Sequence, residues 1–255
     1  MPPPGADPAF RERLKAEFTS GAIAARGSRA GLPSWRGFFS LPRLWVPVAT
    51  AAAAALALAI GTMNQGPAWT IASAGGSGVA RIDGAPVPVS ARAELDRRIG
   101  SGARVEVPEG AELNLVAGKT LAVLATAGTE LIVPPSPARW FGRDAQLHVR
   151  RGILRVSTGR DFHGARLTLR TPEAMAEVTG TTLAVICDPE VGTCVCVYEG
   201  VVRVGPSTGG NMVAVPGGMR RIVYADRRPP VVREILGDER VMLGRYREEM
   251  RPVLQ

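Results

Sequence analysis

Residues 171–204 read TPEAMAEVTGTTLAVICDPEVGTCVCVYEGVVRV, and the punctuation of this stretch decides the fold class. Short runs of β-branched and small apolar residues, Met175–Val178, Thr182–Cys187, Cys194–Tyr198 and Val201–Val204, alternate with turn-formers: Thr179-Gly180-Thr181, the segment Asp188 to Thr193, and Glu199-Gly200. Runs this short suit strands and are too brief for stable helices. Glycine at the breaks accepts the positive φ of a tight reversal. Glu199-Gly200 is predicted to fold Val201–Val204 back onto its neighbour.

The same texture continues upstream. Val79–Ile82, Arg104–Val107, Glu112–Val116, Thr120–Leu124, Glu130–Val133, Gln146–Val149, Ile153–Ser157 and Ala165–Arg170 are strand-like. Pro108-Glu109-Gly110, Ala117-Gly118, Ala127-Gly128, Arg151-Gly152 and Pro216-Gly217-Gly218 are turn signals. The pattern predicts an all-β domain, a sandwich or a solenoid-like stack of short strands. No fixed-length repeat selects between the two. Downstream, Met242, Leu243, Tyr246 and Met250 recur at helical spacing, predicting a short C-terminal helix over Asp238 to Met250, packed on the sheet.

Four pieces of this sequence, Thr171-Pro172, Gly180-Thr181, Val195–Tyr198 and Glu199-Gly200, in that order, resemble the FecR domain of bacterial envelope regulators. RDAQLHVRRGILRVS (residues 143–157) and GSGARVEVPEGAELNLVAGKTLAVL (residues 100–124) are similar to earlier strands of that family, so the resemblance spans roughly residues 79–225. It implies a single-span inner-membrane protein that relays an envelope signal to a cytoplasmic sigma factor. Two departures stand out. The region before the apolar run, residues 1–43, is too short for the cytoplasmic anti-sigma domain that many members carry. No room follows the β region for the small signalling subdomain of the iron-uptake regulators. Thr171, Pro172, Gly180, Thr181, Glu199 and Gly200 are expected to be structural, since strand reversals explain them without chemistry.

The membrane expectation rests on Leu44 to Met63, LWVPVATAAAAALALAIGTM, which holds no charged residue. As a helix it would extend about 30 Å, the thickness of a bilayer's hydrocarbon core. Arg26, Arg29, Arg36 and Arg43 precede it, and the next charge is Arg81. The positive-inside bias then places the N-terminus in the cytoplasm and the β domain in the periplasm. Trp45 and Trp69 are expected at the two membrane interfaces. A cleaved signal peptide and a buried helix are the competing readings. The predicted organisation is a cytoplasmic arm (1–43), a transmembrane helix (44–63), a linker (64–78), a β domain (79–228) and a C-terminal tail with a helix (229–255).

In the arm, Asp7-Pro8 starts a helix whose Phe10, Leu14 and Phe18 share one face. So short a helix is marginal alone, and its stripe is a candidate surface for a cytoplasmic protein partner such as a sigma factor. The chain has 255 residues and a formal charge of +8, with arginine far outnumbering lysine. Residues 1–43 carry seven basic and three acidic side chains, while residues 64–255 carry 24 and 20. A nearly balanced large region argues against a nucleic-acid partner.

Cys187, Cys194 and Cys196 flank one predicted hairpin. A Cys187–Cys194 disulfide, a Cys187–Cys196 disulfide and three free thiols are all compatible with the spacing. Zinc would need His148 or His163 as well, and no metal-ligand spacing is present. His163 near Asp161 reads as a polar turn. No nucleophile-elbow, phosphate-loop or dinucleotide motif occurs. Catalytic residues, cofactors and metals are therefore not expected, and the chain is expected not to be an enzyme. The leading expectation is a signalling protein in transcription regulation; the alternative is a membrane-anchored envelope scaffold or binding module with no cytoplasmic output.

Overall fold

The computed structural model describes residues 57–255. The arm, with Phe10, Leu14 and Phe18, and the apolar run up to residue 56 lie outside the described residues. Residues 57–63, the end of that run, are helical. Among the described residues no helix is long and apolar enough to cross a membrane.

Among the described residues sixteen strands, numbered in chain order, form two sheets. The first runs β1 (Trp69–Gly76), β5 (Ala111–Ala117), β6 (Leu121–Ala125), β8 (Asp144–Thr158), β11 (Thr182–Asp188), β12 (Gly192–Glu199), β15 (Met219–Tyr224), β16 (Val231–Glu234). The second runs β3 (Ala85–Pro88), β2 (Val79–Ile82), β4 (Arg104–Glu106), β7 (Glu130–Ile132), β8, β9 (Arg166–Arg170), β10 (Ala174–Val178), β13 (Val201–Pro206), β14 (Val213–Pro216). Among the described residues β8 and β9 form the one parallel pair.

The two sheets share β8. Its first half pairs with β7 and β9, its second half with β6 and β11. Ala145, Leu147 and Val149 point inward in the first half, Leu154 and Val156 in the second, so the alternation slips by one residue between them. A bulge absorbs the slip: Glu130 faces Arg151 while Leu131 faces Val149. Gly152 follows at φ +94°, where a Cβ would come 2.5 Å from the Thr129 Cα. Both halves thus line one continuous core, in which Leu113, Leu115, Val123, Leu183 and Val185 of the first sheet meet Val105, Leu131, Leu167, Leu169 and Val202 of the second. The architecture is a sandwich whose chain winds repeatedly from sheet to sheet.

Helix α1 (Arg92–Arg98) buries Leu95 and is tied to β1, where Asp96 accepts from the Ile71 N–H and Arg92 donates to the carbonyls of Ile71 and Ala72. Helix α2 (Gly237–Leu254) is the expected C-terminal helix, extended at its end. The Glu239 carboxylate accepts from the Leu236 N–H at 2.8 Å and fixes its start.

Several expectations are corrected. Residues 69–76 of the expected linker form a strand, because Trp69 and Ile71 point into the core while the backbone pairs with β5. Trp69 is 4% exposed and donates its indole N–H to the Pro134 carbonyl, so it is no interface residue. Arg151-Gly152 does not reverse the chain; it carries β8 from one sheet to the other. Glu199-Gly200 also changes sheets, since β13 pairs with β10 and β14 rather than with β12. The β structure continues past residue 228 to β16.

Candidate binding cleft at the sheet corners

Helix α2 covers the outer face of the first sheet. Leu243, Tyr246, Met250 and Leu254 form its buried stripe at spacings of three and four. Tyr246, Met250 and Leu254 pack on Val116, Ala122 and Leu124, whereas Leu243 packs on Ala184, Cys196 and Ile235. Arg247 and Arg251 each follow a buried stripe residue, Tyr246 and Met250, and flank the covered surface.

Two chain corners meet beside this flank. Gly180-Thr181 links β10 to β11, and Glu199-Gly200 links β12 to β13. They pack closely: a Cβ on Gly200, whose φ is +83°, would lie 2.7 Å from the Gly180 carbonyl oxygen and 2.7 Å from the Thr181 methyl. The Thr181 N–H donates to Thr158 Oγ1, and the Thr158 N–H donates to the Thr181 carbonyl. These corners, residues 157–160 and the end of α2 enclose a cleft of about 340 Å³.

The cleft carries more positive than negative charge. Arg160, Arg247 and Arg251 line it together with one acidic side chain, Glu199. Arg247 holds that carboxylate with a fork, Nε to Oε2 at 2.5 Å and Nη2 to Oε1 at 3.2 Å. The fork pushes the Arg247 pKa up, through the hydrogen bond first and the charge attraction second. Arg251 reaches Glu248, and Arg160 reaches Asp161. Hydroxyls line the floor: Ser157 and Thr182 lie 3.1 Å apart, and Thr181, 5% exposed, has no partner for its hydroxyl among the described residues. Guanidinium donors beside hydroxyls suit a carboxylate-bearing ligand or acidic protein segment.

The motif residues do not all converge. Thr171-Pro172 sits at the opposite end of β10 from Gly180, and β10 alone is five residues and so about 17 Å long. Thr171 Oγ1 accepts from the Ala174 N–H and shares a hydrogen bond with the Thr193 hydroxyl at 2.6 Å, which shapes the β9–β10 turn.

The cysteines lie on two faces. In the observed register Cys187 faces Thr193 and Cys194 faces Ile186. Paired residues share a face, so Cys187 points into the sandwich while Cys194 and Cys196 point beneath α2. Of the pairings the spacing left open, neither Cys187–Cys194 nor Cys187–Cys196 is made, and all three thiols are free. Burial pushes the Cys187 thiol up to about 11, with Glu173 adding to the effect. The Cys194 and Cys196 sulfurs are 3.5 Å apart; their shared hydrogen bond holds Cys194 below its ordinary range and Cys196 above it. His148 and His163 are exposed. The Asp161 carboxylate pairs with Arg160, and its backbone carbonyl and that of His163 accept from Arg143. Among the described residues no three His, Cys, Asp or Glu side chains gather as a metal site.

Arg247 and Arg251 escaped the sequence reading, although their i, i+4 spacing on the edge of the predicted stripe is a usable signal.

No family model matches the chain, and no curated protein is significantly similar to it. Among solved structures, two crystal structures of a candidate anti-sigma factor from Parabacteroides distasonis ATCC 8503, at 2.50 Å and 1.65 Å resolution, are similar to it. Each is 19% identical with a TM-score of 0.44, over 51% of this chain and 59% of the other. This chain therefore matches little more than half of that protein's length. The likeness is partial and concerns the fold alone.

Proposed function

We propose that this chain is a FecR-like, single-pass inner-membrane regulator that binds rather than catalyses. In this reading the sandwich lies in the periplasm and receives an envelope protein through the arginine-flanked cleft. The arm of residues 1–43 carries the output to a cytoplasmic partner such as a sigma factor, through Phe10, Leu14 and Phe18. The observation that carries the proposal is the packing of Gly180-Thr181 against Glu199-Gly200, beside the two arginines of α2. These corners are the most recognisable pieces of the sequence pattern, and they help to build a concave surface lined by arginines. Relay across one helix requires that the partner bind two arrangements of the protein with different free energies.

In-cell crosslinking with mass spectrometry, on the full chain beside a version lacking residues 1–40, tests the reading. A sigma factor captured only by the full chain is the expected result. Identical envelope proteins from both versions, with nothing cytoplasmic, would replace the regulator with an anchored scaffold.

A further inference from the structure

The sandwich also presents a surface of a different chemistry where the chain leaves residues 57–63. Leu58, Ile60 and Met63 on that helical segment are exposed. The next residue, Asn64, is bound to a distant loop. Its Oδ1 accepts from the N–H groups of Trp140 and Phe141 at 2.9 and 3.0 Å, its Nδ2 donates to the Phe141 carbonyl, and its own carbonyl accepts from the Arg139 N–H. One side chain thus fastens Trp140 and Phe141 beside the end of the apolar segment. Both rings face outward, 53% and 69% exposed.

Large aromatic side chains are seldom presented together to water by a braced loop. Bracing is extensive here. The Arg143 guanidinium donates to the carbonyls of Arg139, Asp161 and His163, so the loop keeps its shape without burying either ring. Next to it lies a cleft of about 600 Å³, bordered by residues 65–67 and by Lys119, Arg139, Arg143 and Arg160 against the single carboxylate of Asp161. Apolar helix end, paired aromatic rings and a basic cleft therefore sit side by side.

We infer that this face rests on the bilayer: Trp140 and Phe141 enter the interfacial layer, and the basic cleft takes the phosphate of an acidic phospholipid. Indole and phenyl rings favour that layer, and clustered Lys and Arg are drawn to anionic headgroups. The inference rests on the single-span reading, because the span is what delivers Asn64 to the membrane surface. It fixes the orientation of the sandwich, holding its aromatic loop against the lipid rather than leaving the domain to swing on a tether.

Fluorine NMR of the full chain labelled with fluorotryptophan tests this, in vesicles of three parts phosphatidylcholine to one part phosphatidylglycerol containing doxyl-labelled lipid. The four tryptophans are assigned by single Trp→Phe variants. Trp45, within the apolar run, reports the span, and buried Trp69 reports the intact sandwich. Broadening of Trp45 and Trp140 with a sharp Trp69 is expected. A broadened Trp45 with a sharp Trp140 would overturn the docking while leaving the span intact, and would assign the aromatic pair to a protein surface. Broadening of neither would overturn both. Removing phosphatidylglycerol should weaken the Trp140 broadening several-fold, and the double variant Lys119→Ser, Arg139→Ser should lose that dependence. Unchanged dependence in the double variant would overturn the role of the basic cleft.

Discussion

The two faces of the first sheet are buried by different means. Its inner face meets the second sheet mainly through Leu, Val, Ile and Ala, with Cys187 and the buried Arg221, whose guanidinium donates to the Val204 carbonyl, as polar exceptions. Its outer face meets α2 through Cys194, Cys196, Asn114 and Tyr246 as well as Leu and Ala. The Asn114 Oδ1 and the Tyr246 hydroxyl are buried there without partners among the described residues. An unpaired buried polar group costs about 1–3 kcal/mol, so the outer interface gives back part of what its apolar contacts contribute. The difference teaches that the sandwich is the fixed body and α2 the element whose seat is easiest to alter.

The comparison breaks first if the inner face tolerates damage. Leu154→Ala should lower unfolding stability by about 3 kcal/mol, read from urea midpoints. Leu243→Ala beneath α2 should cost less, about 2 kcal/mol, because the helix can settle into the space. Equal losses would remove the distinction between the faces.

A second prediction sharpens the contrast through pH. The Cys187 thiol is raised from 9.0 to about 11 on the inner side. A raised folded pKa gives stability that is intact below the unfolded value and declines as pH climbs through the folded value. Stability should therefore fall between about pH 9 and 11, and Cys187→Ala should flatten that fall. An unchanged slope in the variant would place the titration elsewhere. The smallest effect is expected at Tyr246→Phe, which deletes the unpartnered hydroxyl and should leave stability within about 1 kcal/mol, shifted towards stabilisation. A loss above about 2 kcal/mol would mean that the hydroxyl is bonded in solution.

Much of this fold was legible in the sequence. Strands such as β2, β9 and β10 declare themselves through period-two burial, and β5 and β11, buried on both faces, through nearly continuous apolar runs. β1 does not, because Trp-Thr-Ile-Ala-Ser-Ala-Gly-Gly is rich in small residues; only pairing with β5 and the burial of Trp69 and Ile71 make it a strand. The corner at Gly152 was misread for a related reason. A glycine with positive φ serves a reversal and a sheet crossing equally, and the choice is made by partners distant in sequence. The same limit applied to Cys187, whose facing residue depends on a register that spacing alone cannot set. In the cleft, the two glycine corners were visible, whereas the arginines of α2 join them only after the helix has docked.

The shared strand β8 gives the domain a property of its own. Fifteen residues long, it is the immediate neighbour of β6 and β11 in one sheet and of β7 and β9 in the other. Neither sheet has a complete middle without it. A chain that has formed one sheet has already laid down the template for the next, and losing β8 from either opens the centre of both. The sandwich is therefore expected to assemble and melt as a whole, so a ligand bound at its corners would meet one cooperative block instead of two plates free to slide.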